Sequence, residues 1–284
     1  MPDSDDTAMP PPSRPALPTR ADDLPPMDRR FDEMLDTGLA ELGLTGTLAG
    51  DDAARASYEA HARLLRAWSE AINLTTIREP ADIARRHVCD SLSAAAPLVE
   101  RLWPGASLID VGSGAGYPGL PLVAALPLGR AALLDSVGKK ARFLGVAAAA
   151  VGAALAAAGR PAPIVEAIAE RAEDLAGDEE HRATWDVVTA RAVGSLAEVV
   201  ELALPLLREG GLAVVWKREE ERGGLRSELR DAGSIIRSTG GGRPEVIVVD
   251  AASLPGHRLV VVRKERPTPG RFPRPASIRR RGRR

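Results

Sequence analysis

The sequence predicts an α/β protein: a doubly wound, mostly parallel, seven-stranded sheet with an antiparallel last strand, preceded by a helical N-terminal extension. Three observations predict it. Roughly seventy residues of helical periodicity come before any strand pattern. Short β-branched runs then alternate with helical stretches, as parallel sheets require. The last two runs, in "PEVIVVDAASLPGHRLVVVRK", are joined by a short loop containing Pro255 and Gly256 instead of a helix, which makes a hairpin and reverses the final strand at or near a sheet edge.

Residues 1–28 are acidic and proline-rich with few large apolar side chains, the composition of a disordered tail. The helical extension spans 29–100. "RRFDEMLDTGLAELGL" places Phe31, Met34, Leu35, Leu39 and Leu42 at helical spacing. A second helix opens on Asp51 and Asp52, good N-terminal residues, and carries Tyr58, Leu64, Leu65, Trp68 and Ile72 on its apolar face. A third runs from about Pro80 to Val99. In the domain at 101–264, strands are expected at 106–111, 130–135, 163–168, 185–190, 211–216, 244–249 and 257–263, and helices at 118–126, 138–158, 170–176, 195–208 and 219–232. This layout is that of Rossmann-like methyltransferases and not of dehydrogenases. Residues 265–284 form a basic tail.

Composition narrows the class. The 284 residues are 44% hydrophobic and 27% charged, as in soluble globular proteins, and only 3% aromatic, so Ala, Leu, Val and Ile must fill the core. The one cysteine, Cys89, excludes an intrachain disulfide and suits a reducing cytoplasm. The acidic start does not read as a secretory signal, and the alanine-rich stretch Phe143–Ala158, broken by Gly145 and Gly152, reads as too short and weakly apolar to span a bilayer. No membrane association is expected. Net charge is −1, but residues 1–41 hold ten acids against four bases, whereas residues 263–284 hold nine arginines and Lys264 against Glu265. The basic end reads either as a solubilising tail or as a phosphate-binding arm.

The chemistry-bearing stretch is "LIDVGSGAGYPGLPL". Four glycines, Gly112, Gly114, Gly116 and Gly119, follow an apolar strand within eight positions. In doubly wound folds, ligands lie at the carboxyl ends of the strands, where such turns let a ligand approach the backbone. Gly114, Gly116 and Gly119 match the dinucleotide pattern G-x-G-x-x-G, a weak signal alone. Counted from the strand end, the register is Gly112-x-Gly114-x-Gly116, with Tyr117 where a dinucleotide motif wants glycine. Asp110 before a G-x-G-x-G loop is the form used for S-adenosyl-L-methionine, whose sulfonium cation welcomes a carboxylate. Asp135, 23 residues after Gly112, ends the second strand, where it can accept from ribose hydroxyls or cap the next helix. Glu173 and Asp174 lie at the loop or helix start that would face the adenine.

Six motifs carry a family resemblance: "AINLTTI", "RRHVCDSL", "LIDVGSGAGYPGLPL", "LLDSVGKKARFL", "TARAVGSL" and "HRLVVVRK", in this order over residues 30–264. Together they resemble the RsmG family, also called glucose-inhibited division protein B, whose members methylate N7 of a guanine in the decoding region of 16S ribosomal RNA. The resemblance implies S-adenosyl-L-methionine held by Asp110, Gly112, Gly114, Gly116, Tyr117, Asp135, Ser136, Ala172, Glu173 and Arg191. It makes Arg191 and Lys217 the candidate catalytic residues, and 16S ribosomal RNA in the small subunit the partner. Arg218 stands where the family has glycine, and His87, Asp90 and Ser91 are motif residues without an assigned role.

N7 of guanine carries an in-plane lone pair, so its methylation needs alignment but no general base. No metal, nucleophile or acid–base dyad is expected. His87, Cys89 and Asp90 on one short segment, with no second cluster, do not make a metal site. Lys139, Lys140 and Arg142 are either a solvated helix face or phosphate contacts. Two other classes stay open, a small-molecule methyltransferase and a non-enzymatic RNA-binding protein. A monomer is expected.

Overall fold

The computed structural model describes residues 16–219 and 224–279. The expectations for residues 1–15 and 280–284 lie outside the described residues. The helical extension comprises α1 (Arg29–Glu41), α2 (Asp52–Ser69), α3 (Pro80–Ile83), a π-helical turn (Ala84–Cys89), α4 (Asp90–Leu92) and α5 (Ala95–Val99). Asp28 and Asp51 cap the first two helices by accepting from the amides of Arg30 and Ala54. The domain continues as β1 (Ala106–Val111), α6 (Gly119–Ala125), β2 (Leu128–Leu134), α7 (Gly138–Ala157), β3 (Ile164–Ile168), α8 (Ala172–Leu175), β4 (Trp185–Arg191) and α9 (Leu196–Leu206). It closes with β5 (Leu207–Arg218), α10 (Gly224–Ser238), β6 (Glu245–Val248), β7 (His257–Arg263) and α11 (Ala276–Arg279).

The seven strands form one sheet in the order β3-β2-β1-β4-β5-β7-β6. Strands β1 to β5 pair in parallel, and β7 is antiparallel to both β5 and β6. The reversed strand is therefore inserted beside β5, and β6 forms the edge. Sequential crossovers reverse direction between β1 and β4, and there the carboxyl ends open a crevice.

One apolar layer buries Phe31, Leu35, Tyr58, Leu65, Trp68 and Phe143 between the helical extension and the sheet. The other buries Ile109, Val188, Leu196, Val200, Leu204 and Ile236 on the opposite face. Helix α7 has the length and apolar composition that could cross a membrane, contrary to the expectation for Phe143–Ala158. Its face of Phe143, Leu144, Ala147, Val151 and Leu155 is buried within the first layer.

Both ends of the described chain are tied to the body. Within the expected disordered tail, residues 16–28 bury Ala21 and Met27, and the Trp68 indole N–H donates to Pro18 O at 2.8 Å. In the basic tail, Phe272 is buried, Arg274 pairs with the buried Glu201 at 2.6 Å, and Arg279 pairs with Glu173 at 3.2 Å. Arg182 donates to the carbonyls of Thr268, Pro269 and Phe272. These contacts depart from the reading of a tail without any fixed packing.

Candidate active site

The glycine loop follows β1 at the carboxyl edge of the sheet. Gly112, Gly114 and Gly116 adopt φ of +71°, +57° and +86°, which L side chains rarely take, so the tight turn itself requires glycine. A Cβ on Gly112 would also lie 2.7 Å from the Val193 side chain, in the loop after β4. Close approach and turn geometry therefore both operate at Gly112.

The two acids beside this loop serve its backbone. Asp110 is fully buried. Its Oδ2 accepts from Ser113 Oγ at 2.6 Å and Gly119 N at 3.1 Å, and its Oδ1 accepts from Thr189 Oγ1 at 2.8 Å on the adjacent strand. Burial pushes its carboxyl up to about 6. Asp110 thus anchors the turn instead of presenting an open charge. Asp135 accepts from Gly114 N at 3.0 Å and Val137 N at 2.9 Å, so its carboxylate joins the loop to the entrance of α7.

Tyr117 is also turned inward. It is 4% exposed, and its ring lies between His61, 4.3 Å away and nearly parallel, and His87 at 4.6 Å. Stacking on a ligand is closed to a ring covered on both faces. His61 Nε2 contacts Ala115 O at 2.8 Å, and burial lowers the His61 pKa to about 4 and the His87 pKa to about 3, so both rings are neutral near pH 7. His61 was not identified from sequence because one polar residue on the apolar face of α2 leaves the helical pattern intact.

Of the remaining expected cofactor residues, Gly112 and Ser136 are exposed, and Gly114, Ala172 and Glu173 are half-buried along the same edge. A ring of positive-φ glycines, a carboxylate at the end of β2 and a surface at the start of α8 fit S-adenosyl-L-methionine in its chemistry and position.

A second region opens at the ends of β4 and β5. A cavity of about 660 Å³ is lined by Arg191, Lys217, Asp90, Trp216 and His257, among others, and by none of the glycine-loop residues. Val193 lines it too, and so separates it from Gly112. Arg191 Nη1 donates to Asp90 Oδ2 at 2.6 Å and to Arg86 O at 3.1 Å, with its guanidinium 5.6 Å from the Tyr117 ring centre. Lys217 Nζ pairs with Glu228 at 2.8 Å and donates to Gly194 O at 3.1 Å, holding the loop after β4. Arg218 continues β5 opposite His257 in extended pairing, where a glycine is not required. Cys89 is fully buried, and Asp90 gives one carboxylate oxygen to Arg191.

The GidB family model, described as rRNA small subunit methyltransferase G, matches residues 55–232. The chain belongs to this family. It is 36% identical over 247 residues to ribosomal RNA small subunit methyltransferase G of Symbiobacterium thermophilum, covering 86% of this chain and 94% of the relative. It is 38% identical to the protein of the same name from Deinococcus radiodurans, over 85% of this chain and 88% of the relative. A solved Corynebacterium glutamicum structure is 20% identical, covering 83% of this chain and 97% of that one, with a TM-score of 0.46.

Proposed function

We propose that the protein transfers a methyl group from S-adenosyl-L-methionine to N7 of a guanine in 16S ribosomal RNA of the small subunit. Family membership supports this reading. The structural observation that carries it is the adjacency of a glycine cradle at β1 and a cavity at β4–β5 large enough to admit a base, with the loop Ala192–Gly194 between them.

When bound, S-adenosyl-L-methionine supplies a methyl group on a positively charged sulfur. Gly112 and Gly114 would give backbone approach, Asp135 and Ser136 would face the ribose, and Ala172 with Glu173 would face the adenine. Asp110 fixes the turn through three hydrogen bonds and is not a direct contact. His61 and His87 clamp Tyr117 beneath the loop, so the cradle is stiff before any ligand arrives. Lys217 fixes Gly194 and thereby the wall between cradle and cavity. Proximity and orientation of this kind lower the barrier by several kcal/mol or more. No residue needs to remove a proton, because the attacking nitrogen carries none.

The cavity rim carries the exposed Arg86 and Arg218, placed for phosphates on either side of an inserted base. Action as a monomer in the cytoplasm, where small subunits assemble, belongs to the same proposal. The test is incubation with radiolabelled S-adenosyl-L-methionine and either unmodified small subunits, naked 16S RNA or a metabolite pool. Label in RNA at a position cleaved by borohydride and aniline treatment is the expected result. Label in a metabolite alone overturns the proposal.

A further inference from the structure

The cavity holds one group that the reaction described above leaves without a task. Asp90 is 6% exposed. Arg191 takes its Oδ2, but its Oδ1 accepts no hydrogen bond and has the His257 imidazole 3.5 Å away. A buried carboxylate oxygen with unused lone pairs is costly unless something comes to it. This oxygen belongs to a residue lining the cavity, and the surroundings hold it firmly. The Trp216 indole N–H donates to Asp90 O at 2.8 Å and Ser93 Oγ at 3.2 Å, fixing both the backbone of Asp90 and the plane of the indole.

We propose that Asp90 reads the acceptor base, its free oxygen accepting hydrogen bonds from the N1–H and 2-amino edge of guanine. The inference rests on the guanine-N7 reading above. That edge is a paired donor, the complement of a carboxylate. Adenine presents a lone pair and a C–H there and meets the same oxygen with repulsion. The edge also lies across the purine from N7, so a guanine held by it turns N7 away from Asp90. Val193 lines the cavity as well, and Gly112 lies behind it. Trp216, Leu254 and Pro255 supply apolar surface for the flat ring.

The same contact favours the reaction. N7 gains a methyl group, the bond to sulfur breaks with its electron pair, and no proton leaves the base. Guanine becomes a cation whose charge spreads toward N1 and the 2-amino group. Its hydrogen bonds to a carboxylate strengthen as transfer proceeds, so the interaction is greater in the transition state than before it. The Arg191 ion pair keeps that carboxylate oriented when no base is present.

The experiment compares small-subunit RNA carrying guanine or inosine at the acceptor position. Inosine keeps N7 and N1–H and lacks only the 2-amino group. With the unaltered protein, kcat/KM should be about 10–100-fold lower for inosine, the loss expected for one hydrogen bond to a charged acceptor. In Asp90→Asn, transfer to guanine should fall at least as far, and the guanine-to-inosine ratio should shrink to within about threefold. Calorimetric affinity for S-adenosyl-L-methionine should match that of the unaltered protein, which also shows that the variant is folded. Equal rates on guanine and inosine with the unaltered protein overturn the assignment without any variant. So does a preference that survives in Asp90→Asn. Transfer to neither RNA, with label appearing in a metabolite instead, overturns the proposed function and this inference together.

Discussion

On the β1–β2 side of the site, carboxylates face the protein's own backbone: Asp110 holds Ser113, Gly119 and Thr189, and Asp135 holds Gly114 and Val137. On the β4–β5 side, Asp90 spends one oxygen on Arg191 and leaves the other without a hydrogen bond. The first region is a cradle of main chain stiffened by acids. The second is a pocket of side chains with unspent hydrogen-bonding capacity. The difference follows from what each must recognise. A ligand common to many enzymes can be met by backbone shape, whereas one particular base must be distinguished by donors and acceptors.

The largest effect is expected where the cradle is tightest. Gly112→Asp puts an L side chain at φ +71° with its Cβ 2.7 Å from Val193. Binding of S-adenosyl-L-methionine should be abolished in calorimetry while the far-ultraviolet circular dichroism stays native. Unchanged affinity would show that the ligand does not use this backbone.

Arg191→Ala probes the other region. It strands Asp90 in the interior, and breaking a buried pair from one side costs about 3–5 kcal/mol. Chemical denaturation should show that loss, and turnover should fall by about 100-fold or more, the scale seen when an electrostatic contact is removed from an active site. Arg191→Lys should recover more stability than activity, because a point charge cannot reproduce the contacts to Asp90 and Arg86 together. Parallel recovery of both would make the pair a fold element only.

A smaller effect tests the stiffness of the cradle. His61 is neutral in the fold, with its pKa lowered to about 4, whereas the unfolded chain takes up a proton near 6.5. The native state therefore resists protonation, and its stability is fully present above about pH 6.5 and is lost as pH falls toward 4. The linked contribution is on the order of 3 kcal/mol across that window. In His61→Gln the slope of stability against pH between 6.5 and 4 should flatten in urea titrations. An unchanged slope would mean that His61 does not stay neutral beneath the loop.

The smallest effect is expected from the basic tail. Removing residues 280–284 deletes Arg280, Arg281, Arg283 and Arg284. Small-subunit binding should weaken, and its salt dependence should flatten by about three units, at roughly 0.7–0.9 per phosphate released. Turnover at saturating substrate should stay within a few fold. An identical salt slope would leave the tail a solubilising one.

Much of the cradle was legible in the sequence because its determinants are local. The glycine spacing, the strand before it and Asp135 at the next strand end all lie within about thirty residues. The roles of Asp110 and Tyr117 were not, since "beside the loop" in sequence does not say whether a side chain faces ligand or interior. The second region was harder to read. Asp90, Arg191, Trp216 and His257 come from four separate segments, and only the folded sheet makes them neighbours. The partner of Arg191 sits 101 positions earlier in the chain. The π-helical turn that presents His87 leaves no mark in a periodicity search, because one widened turn barely disturbs the pattern. Residues 16–28 and 265–279 look tail-like by composition, yet they are fixed by a few specific bonds, such as Arg274 to Glu201 on the buried face of α9.

The reversed β7 has a consequence for how such a site can change. Parallel strands deliver only their final residues to the rim, but a strand running backward delivers its first, and His257 arrives there in that way. The hairpin loop before it, which carries Ser253, Leu254 and Pro255, thus forms part of the pocket wall while hanging from the edge of the sheet. Lengthening or shortening that loop would remodel the acceptor's surroundings with no strand moved and no cofactor contact disturbed. On the proposed assignment, that loop lets selectivity for the acceptor drift while the glycine turn after β1 is kept.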